Sequence, residues 1–186
     1  GESVQVLSPY NNKGNLSAYA LNMAIRDRVN PLERGKIVLK RDKDSFRDND
    51  RVIILQNDRE RNCSNGDVGI LHILRAEEKR VAYCVELPDG RCPTWDDASG
   101  LAQLSLAYCL TVHKSQGSEY DTILLPIAKG MDGMLSRNLL YTAISRAKKR
   151  VILYGDSQAL DVAVQKNLPQ RKSLLVPKTR MLLECA

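Results

Sequence analysis

The run Thr111-Val112-His113-Lys114-Ser115-Gln116-Gly117-Ser118-Glu119 packs hydroxyls, an imidazole, an ammonium, an amide and a carboxylate into one short stretch. Strand-sized apolar runs flank it, Leu104 to Leu110 before and Thr122 to Ile127 after. A polar loop at the carboxyl end of a strand is where open α/β sheets bind ligands. Gly117 permits close backbone approach to a phosphate, Glu119 can accept from a ribose hydroxyl, and Thr111, His113 and Lys114 offer donors suited to phosphate oxygens. An ordinary polar connection has the same composition, so both readings stand on these residues alone.

Working outward, strand and helix alternate. Downstream, the spacing predicts a helix from about Leu135 to Ala147, a strand from Val151 to Leu153 and a helix from about Ser157 to Gln165. In the first of these, Leu139, Leu140, Ala143 and Ile144 share a buried face, and Thr142 and Arg146 lie four apart on another. The basic group from Arg146 to Arg150 reads equally as helix-end charge and as a contact for a charged partner. Upstream, Ser3 to Leu7 alternates as a strand. A helix follows with Asn15 as N-cap and Leu16, Tyr19, Ala20 and Met23 on its apolar face, ending before Asn30-Pro31.

Between these α/β portions the periodicity changes. Arg51 to Gln56, Val68 to Leu74, Lys79 to Leu87 and Arg91 to Trp95 are short β-branched-rich runs, punctuated by Asn65-Gly66-Asp67 and Pro88-Asp89-Gly90. They predict a small SH3-like or OB-like barrel, with the charged stretch Glu33 to Asp50 as an exposed lead-in. The expected organisation is an α/β domain (1–31 and 101–165) interrupted by an all-β insert (32–100) and followed by a tail (166–186).

Composition narrows the function classes. A hydrophobic fraction of 43% and a charged fraction of 27% exclude global disorder. No apolar run approaches the roughly 18 residues of a membrane span, and the start, Gly1-Glu2-Ser3, is no secretory signal. The missing initiator Met suggests an excised piece of a longer protein. Five scattered cysteines without a Cys-x-x-Cys pair, and two distant histidines, argue against a zinc site and for a reducing cytoplasm. The net charge of +6 favours a polyanionic partner. Basic residues gather without acids from Gly133 to Gly155 and from Lys166 to Arg180. Within the insert, Arg51, Arg59, Arg61 and Arg80 suit a grip on DNA better than its few aromatics suit peptide capture. The sequence contains no Gly-x-x-x-x-Gly-Lys-[Ser/Thr] loop and no Gly-x-Gly-x-x-Gly, so it presents no complete nucleotide-hydrolysing site by itself.

Thr111 to Glu119 resembles helicase motif V, and Tyr141-Thr142-Ala143-Ile144-Ser145-Arg146-Ala147 resembles motif VI, of superfamily 1 helicases of the RecD and TraA type (exodeoxyribonuclease V alpha subunit-like). Val6-Leu7-Ser8-Pro9, Leu21-Asn22, Asn30-Pro31 and Asn65-Gly66-Asp67-Val68-Gly69 are similar to further blocks of that family, in its order. The resemblance implies a RecA-like, P-loop-NTPase-type second motor domain without Walker A, interrupted by an SH3-like insert. ATP and magnesium would be held mainly by a first motor domain of the same protein. By position, Gly117 and Glu119 would meet the nucleotide, Tyr141 and Thr142 would line its cleft, and Arg146 would be the arginine finger. Thr111, His113, Lys114, Ser115 and Gln116 would meet single-stranded DNA. Implied with these are 5′-to-3′ movement, a role in recombination or repair, and nuclease or helicase partner subunits. The helicase part of a conjugative relaxase and a non-catalytic nucleic-acid-binding module are the competing readings.

Overall fold

The computed structural model describes residues 3–41, 44–77, 80–131 and 133–166, so the second basic stretch lies outside the described residues beyond Lys166. The chain runs β1 (Val4–Ser8), α1 (Ala18–Val29), β2 (Val38–Arg41), β3 (Asp44–Arg47), β4 (Arg51–Ile54), β5 (Val68–Glu77), β6 (Arg80–Glu86) and β7 (Thr94–Trp95). A 3₁₀ turn (Ala98–Gln103) leads into β8 (Leu104–Leu106), β9 (Cys109–Thr111), β10 (Tyr120–Ile127), α2 (Arg137–Ile144), β11 (Ala147–Gly155) and α3 (Ser157–Gln165).

Two sheets divide these strands. A four-stranded parallel sheet has the order β11-β10-β1-β9. A five-stranded antiparallel sheet has the order β7-β6-β5-β4-β8, with β2 and β3 as a separate hairpin. The expected single strand Leu104 to Leu110 is therefore two. Leu104 to Leu106 pairs with β4 in the insert, and Cys109 to Thr111 pairs with β1 in the motor sheet. The antiparallel sheet thus extends past residue 100, with β7 and β8 as its outer strands among the described residues.

Strand β4 shows how period-two alternation serves two cores at once. Val52 and Ile54 pack with Leu71, Tyr83 and Trp95 in the insert, whereas Ile53 packs with Leu7, Ile123 and Leu125 in the motor core. The stretch expected as an exposed lead-in instead holds the β2–β3 hairpin. Its cross-strand pair Leu39 and Phe46 is buried in the insert core, a two-residue apolar face hidden among charges in the sequence. Trp95 and Tyr83 stack in that core with ring centroids 5.5 Å apart. Gly100 lies against both rings, and a Cβ there would stand 2.2 Å from Trp95 Cδ1. With Phe46, Tyr83 and Trp95 buried, the insert offers none of these three to a peptide groove.

Helix α1 is capped by Ser17, whose hydroxyl accepts from Ala20 N, not by Asn15. Its inward residues are Ala18, Asn22 and Arg26, while Tyr19 on the expected apolar face is exposed. The polar inward residues are occupied. Asn22 exchanges two 2.8 Å hydrogen bonds with the backbone of Cys109, completing the edge of β9 as a neighbouring strand would. Arg26 donates to Ser45 O of the hairpin.

The chain leaves the motor at Asn30 and re-enters it at Tyr108, and both residues donate to the same oxygen of Asp50, at 2.7 and 3.0 Å. Its other oxygen accepts from Arg47 N at 2.8 Å and lies 3.8 Å from Arg26 Nη1. The carboxylate is fully buried, and burial together with its charge pushes the Tyr108 hydroxyl up to about 12. Arg51 adds a second tie by donating to Val4 O and Gln5 Oε1 of β1, so this guanidinium joins the two sheets instead of gripping DNA. Arg61 is engaged by Asp58 at 2.6 Å.

Asp50→Ala should cost about 3–5 kcal/mol, because it strips a buried cation and three donors of their acceptor; urea denaturation followed by circular dichroism measures it. Gly100→Ala should cost about 1–3 kcal/mol by overpacking the stacked rings, read as a lower denaturation midpoint and a changed Trp95 emission.

Candidate functional site

The loop from Val112 to Glu119 crosses the motor sheet from one edge to the other. Thr111 ends β9 opposite Ser8, and Tyr120 begins β10 two residues before Thr122, the partner of Val4. Counted along the registers, the two ends stand six residues apart, or about 20 Å at the usual strand rise. The polar residues that look like one cluster in the sequence therefore form two places.

At the carboxyl edge, the loop coils directly after β9. Thr111 O accepts from Ser115 N at 3.1 Å, and Thr111 Oγ1 accepts from Lys114 N at 3.2 Å. Ser115 is fully buried and its hydroxyl donates to Val112 O, so it holds the coil together; the expectation that it meets nucleic acid fails on burial. His113, Lys114 and Gln116 remain exposed. Thr111 and Lys114 line a cavity of about 230 Å³ with Asn11, Asn12 and Tyr19 of the motor domain and Ser45 of the insert hairpin. Gly117 follows with φ +87° and open space where a Cβ would stand. Glycine is required there to turn the backbone, not to admit a close neighbour.

At the amino edge, Ser118 and Glu119 meet the end of α2. The helix stops at Ile144, where Ser145 N closes the last turn on Tyr141 O, and β11 begins at Ala147. Arg146 therefore lies in the link between helix and strand, not on the helix, and Lys148, Lys149 and Arg150 are strand residues rather than helix-end charge. Tyr120 N donates to Arg146 O at 2.9 Å. The Arg146 guanidinium donates to Ser118 O at 3.4 Å and to Ser145 Oγ at 3.2 Å, and Ser145 Oγ donates to Thr142 O. Its Nε is buried and has no partner among the described residues. Glu119 pairs with Lys148 at 3.3 Å and Asp121 with Lys149 at 3.1 Å, both at the surface. Tyr141 is 74% exposed, whereas the Thr142 hydroxyl turns back onto Asn138 O.

The structure thus brings Glu119, Thr142 and Arg146 to one edge and leaves Thr111, His113, Lys114 and Gln116 at the other. Ser118 and Ser145 stand inside the two motif-like runs without a role assigned from sequence, and Tyr120 stands outside them, because their contacts cross between β10 and the α2–β11 link. Burial pushes the Tyr120 hydroxyl pKa up, against the pull of Ser118 and of the Arg51 and Arg146 guanidiniums. Among the described residues no group of His, Cys, Asp or Glu could hold a metal ion, and no helix is long and apolar enough to cross a membrane. His72 bonds Glu86 at 2.9 Å on the insert surface.

Two family models match the chain in order. The ATP-dependent RecD-like DNA helicase SH3 domain matches residues 21–84, from α1 into β6, and the UvrD-like helicase C-terminal domain matches residues 106–154, which contain both candidate edges. The ATP-dependent RecD2 DNA helicase of Deinococcus radiodurans is 35% identical over 178 residues, covering 96% of this chain and 24% of its own length. The RecBCD enzyme subunit RecD of Haemophilus influenzae is 27% identical over 123 residues, covering 66% of this chain and 17% of its own. Among solved structures, the Bacteroides Pif1 helicase in complex with ADP-AlF3 and single-stranded DNA shares the fold, with a TM-score of 0.58 at 16% identity over 98% of this chain and 45% of that one. The chain spans about a quarter of the Deinococcus relative. With the SH3 domain and the helicase C-terminal domain both matched in sequence order, this chain belongs to the RecD-like helicases, of which it represents the C-terminal motor region.

Proposed function

We propose that this chain is the C-terminal motor half of an ATP-dependent DNA helicase that moves 5′-to-3′ in recombination or repair in the cytoplasm. In this reading Arg146 is its arginine finger. The observation that carries the reading is the state of Arg146. Its guanidinium makes two long side-chain bonds at the sheet edge, and its Nε is buried without a partner among the described residues. A charged donor normally bonds more tightly than this, so the group is free to engage a stronger acceptor. A phosphate oxygen fits that need, being anionic and able to take the planar guanidinium fork.

Bound ATP with magnesium would supply the phosphoanhydride whose cleavage drives movement, and in this reading its main cradle belongs to a first motor domain of the same protein. This chain's own part is charge and orientation. Arg146 brings positive charge to the growing negative charge of the transition state. Glu119, now paired with Lys148, is available to a ribose hydroxyl, Tyr141 and Thr142 shape the same edge, and Gly117 turns the loop toward the nucleotide side. At the far edge Thr111, His113, Lys114 and Gln116 form the track for single-stranded DNA. The roughly 20 Å between the edges keeps the two ligands apart while one loop touches both. Nuclease or helicase subunits are the partners that this role implies.

In the full-length protein, Arg146→Ala should lower DNA-stimulated ATP turnover by roughly 10³ to 10⁵ with little change in nucleotide affinity. Arg146→Lys should rescue little, since an ammonium lacks the bidentate fork. Near-normal turnover of Arg146→Ala would remove the finger role. For the far edge, His113→Ala should flatten the dependence of log affinity on log salt by roughly 0.7 for a single-stranded oligonucleotide; an unchanged slope and affinity takes His113 off the DNA surface.

A further inference from the structure

Two buried polar atoms at the root of the arginine lack a hydrogen-bond partner among the described residues, Tyr120 Oη and Arg146 Nε. They stand where the β10–β11 pairing slips. Tyr120 faces Ala147 but Thr122 faces Arg150, so β11 spends one residue more than β10 over this step. Such bulges re-aim side chains beside active sites.

The Tyr120 ring belongs to the same buried core as Ile53 of the insert strand β4, and the half-buried Val68 of β5 packs against that core. Tyr120 also lines an open cavity of about 270 Å³, walled by Ser118 on one side and by the insert turns at Gly66, Asp67, Pro88 and Asp89 on the other. The charges of Arg51 and Arg146 both reach its hydroxyl. One aromatic side chain therefore shares a core with the insert strand, lines the cavity beside the insert turns and lies within reach of the arginine's charge. A buried hydroxyl with no partner detracts from stability, so its presence is explained if a second arrangement satisfies it.

We infer that Tyr120 is a positioning residue for Arg146. Its hydroxyl accepts from Arg146 Nε–H when the guanidinium turns away from Ser118 O toward the partner motor domain, and its ring, held by Ile53, gives the insert a grip on the arginine. This rests on the reading of Arg146 as the finger. The two buried orphans satisfy each other in the engaged arrangement, which makes that arrangement a defined position and not a loose swing. No bond is made or broken covalently, and no group titrates.

The test uses the full-length protein with Tyr120→Phe, Arg146→Ala and the double variant. Removing an unpartnered hydroxyl should leave the melting temperature unchanged or raised, while kcat for DNA-stimulated ATP hydrolysis falls by about 10- to 100-fold, the usual effect of misplacing a catalytic group. KM for ATP should stay within about twofold, and the double variant should be no slower than Arg146→Ala, because residues acting as a unit are non-additive. A merely structural role would lower stability and kcat together. Ile53→Val, which thins the contact between insert and ring without touching a polar atom, is the second variant. It should lower kcat in the same direction at constant KM, and it decides the matter should Tyr120→Phe not fold. Wild-type kcat in Tyr120→Phe, or losses that multiply in the double variant, would overturn the positioning role while Arg146→Ala still abolishes turnover. Normal turnover in Arg146→Ala would instead bring down the finger reading itself.

Discussion

One buried carboxylate holds the two parts of this molecule in register. Asp50 accepts from Asn30, where the chain leaves the motor domain, and from Tyr108, where it returns, and it sits beside Arg26 of the first helix. Burying a charge is expensive unless every lone pair finds a donor. Here the donors come from the cap of α1, from the last residue of β3 and from the link between β8 and β9, so the charge is satisfied only when all of them are assembled. That requirement makes the joint specific as well as strong. An apolar joint of the same size would bury comparable surface but would tolerate sliding, because hydrophobic contact has no direction.

The joint matters to function because strand β4, one residue beyond Asp50, belongs to both halves. Val52 and Ile54 look into the insert, while Ile53 looks into the motor core beside Tyr120. Arg51 is tied to β1 by two hydrogen bonds. In the proposed coupling, a displacement of the insert would reach the motor sheet through Arg51 and Ile53, two residues apart on one strand. Packed interiors transmit such displacements because they are dense and have little compressibility. The opposite edge is locked differently. The side chain of Asn22 completes the hydrogen bonding of β9 and fixes the strand from which the Val112 to Glu119 loop departs.

The loop between Thr111 and Glu119 shows what tertiary structure adds to a motif. Read as letters it is one polar patch, and composition alone does not separate it from an ordinary connection. In the fold it is a crossing that starts beside Ser8 and ends beside Arg146, with Ser115 as an internal staple and Gly117 as the turn that sends the chain down to β10. Its residue types are therefore distributed between two surfaces that the sequence places side by side.

The switch from alternating strand and helix to clustered short strands, and back, was legible from periodicity and turn residues, because both are local consequences of backbone geometry. Motif resemblance was equally direct, and it offered Arg146 and Glu119 as candidates that the fold then brought to one edge of the sheet. The division of Leu104 to Leu110 between two sheets was not legible, since an unbroken apolar run carries no mark of which strands it will meet. Nor was the burial of Asn22, Arg26 and Asp50, polar residues that local patterning assigns to the surface and that only mutual hydrogen bonding allows inside. Leu39 and Phe46 were hidden for the converse reason, as two apolar residues among charges whose shared face exists only once the hairpin forms. The sequence by itself determined where α/β gives way to clustered short strands and which residues are candidates for chemistry. The tertiary structure alone decided which of those residues meet, because hydrogen-bond pairing across strands and the satisfaction of buried charge depend on partners far away along the chain.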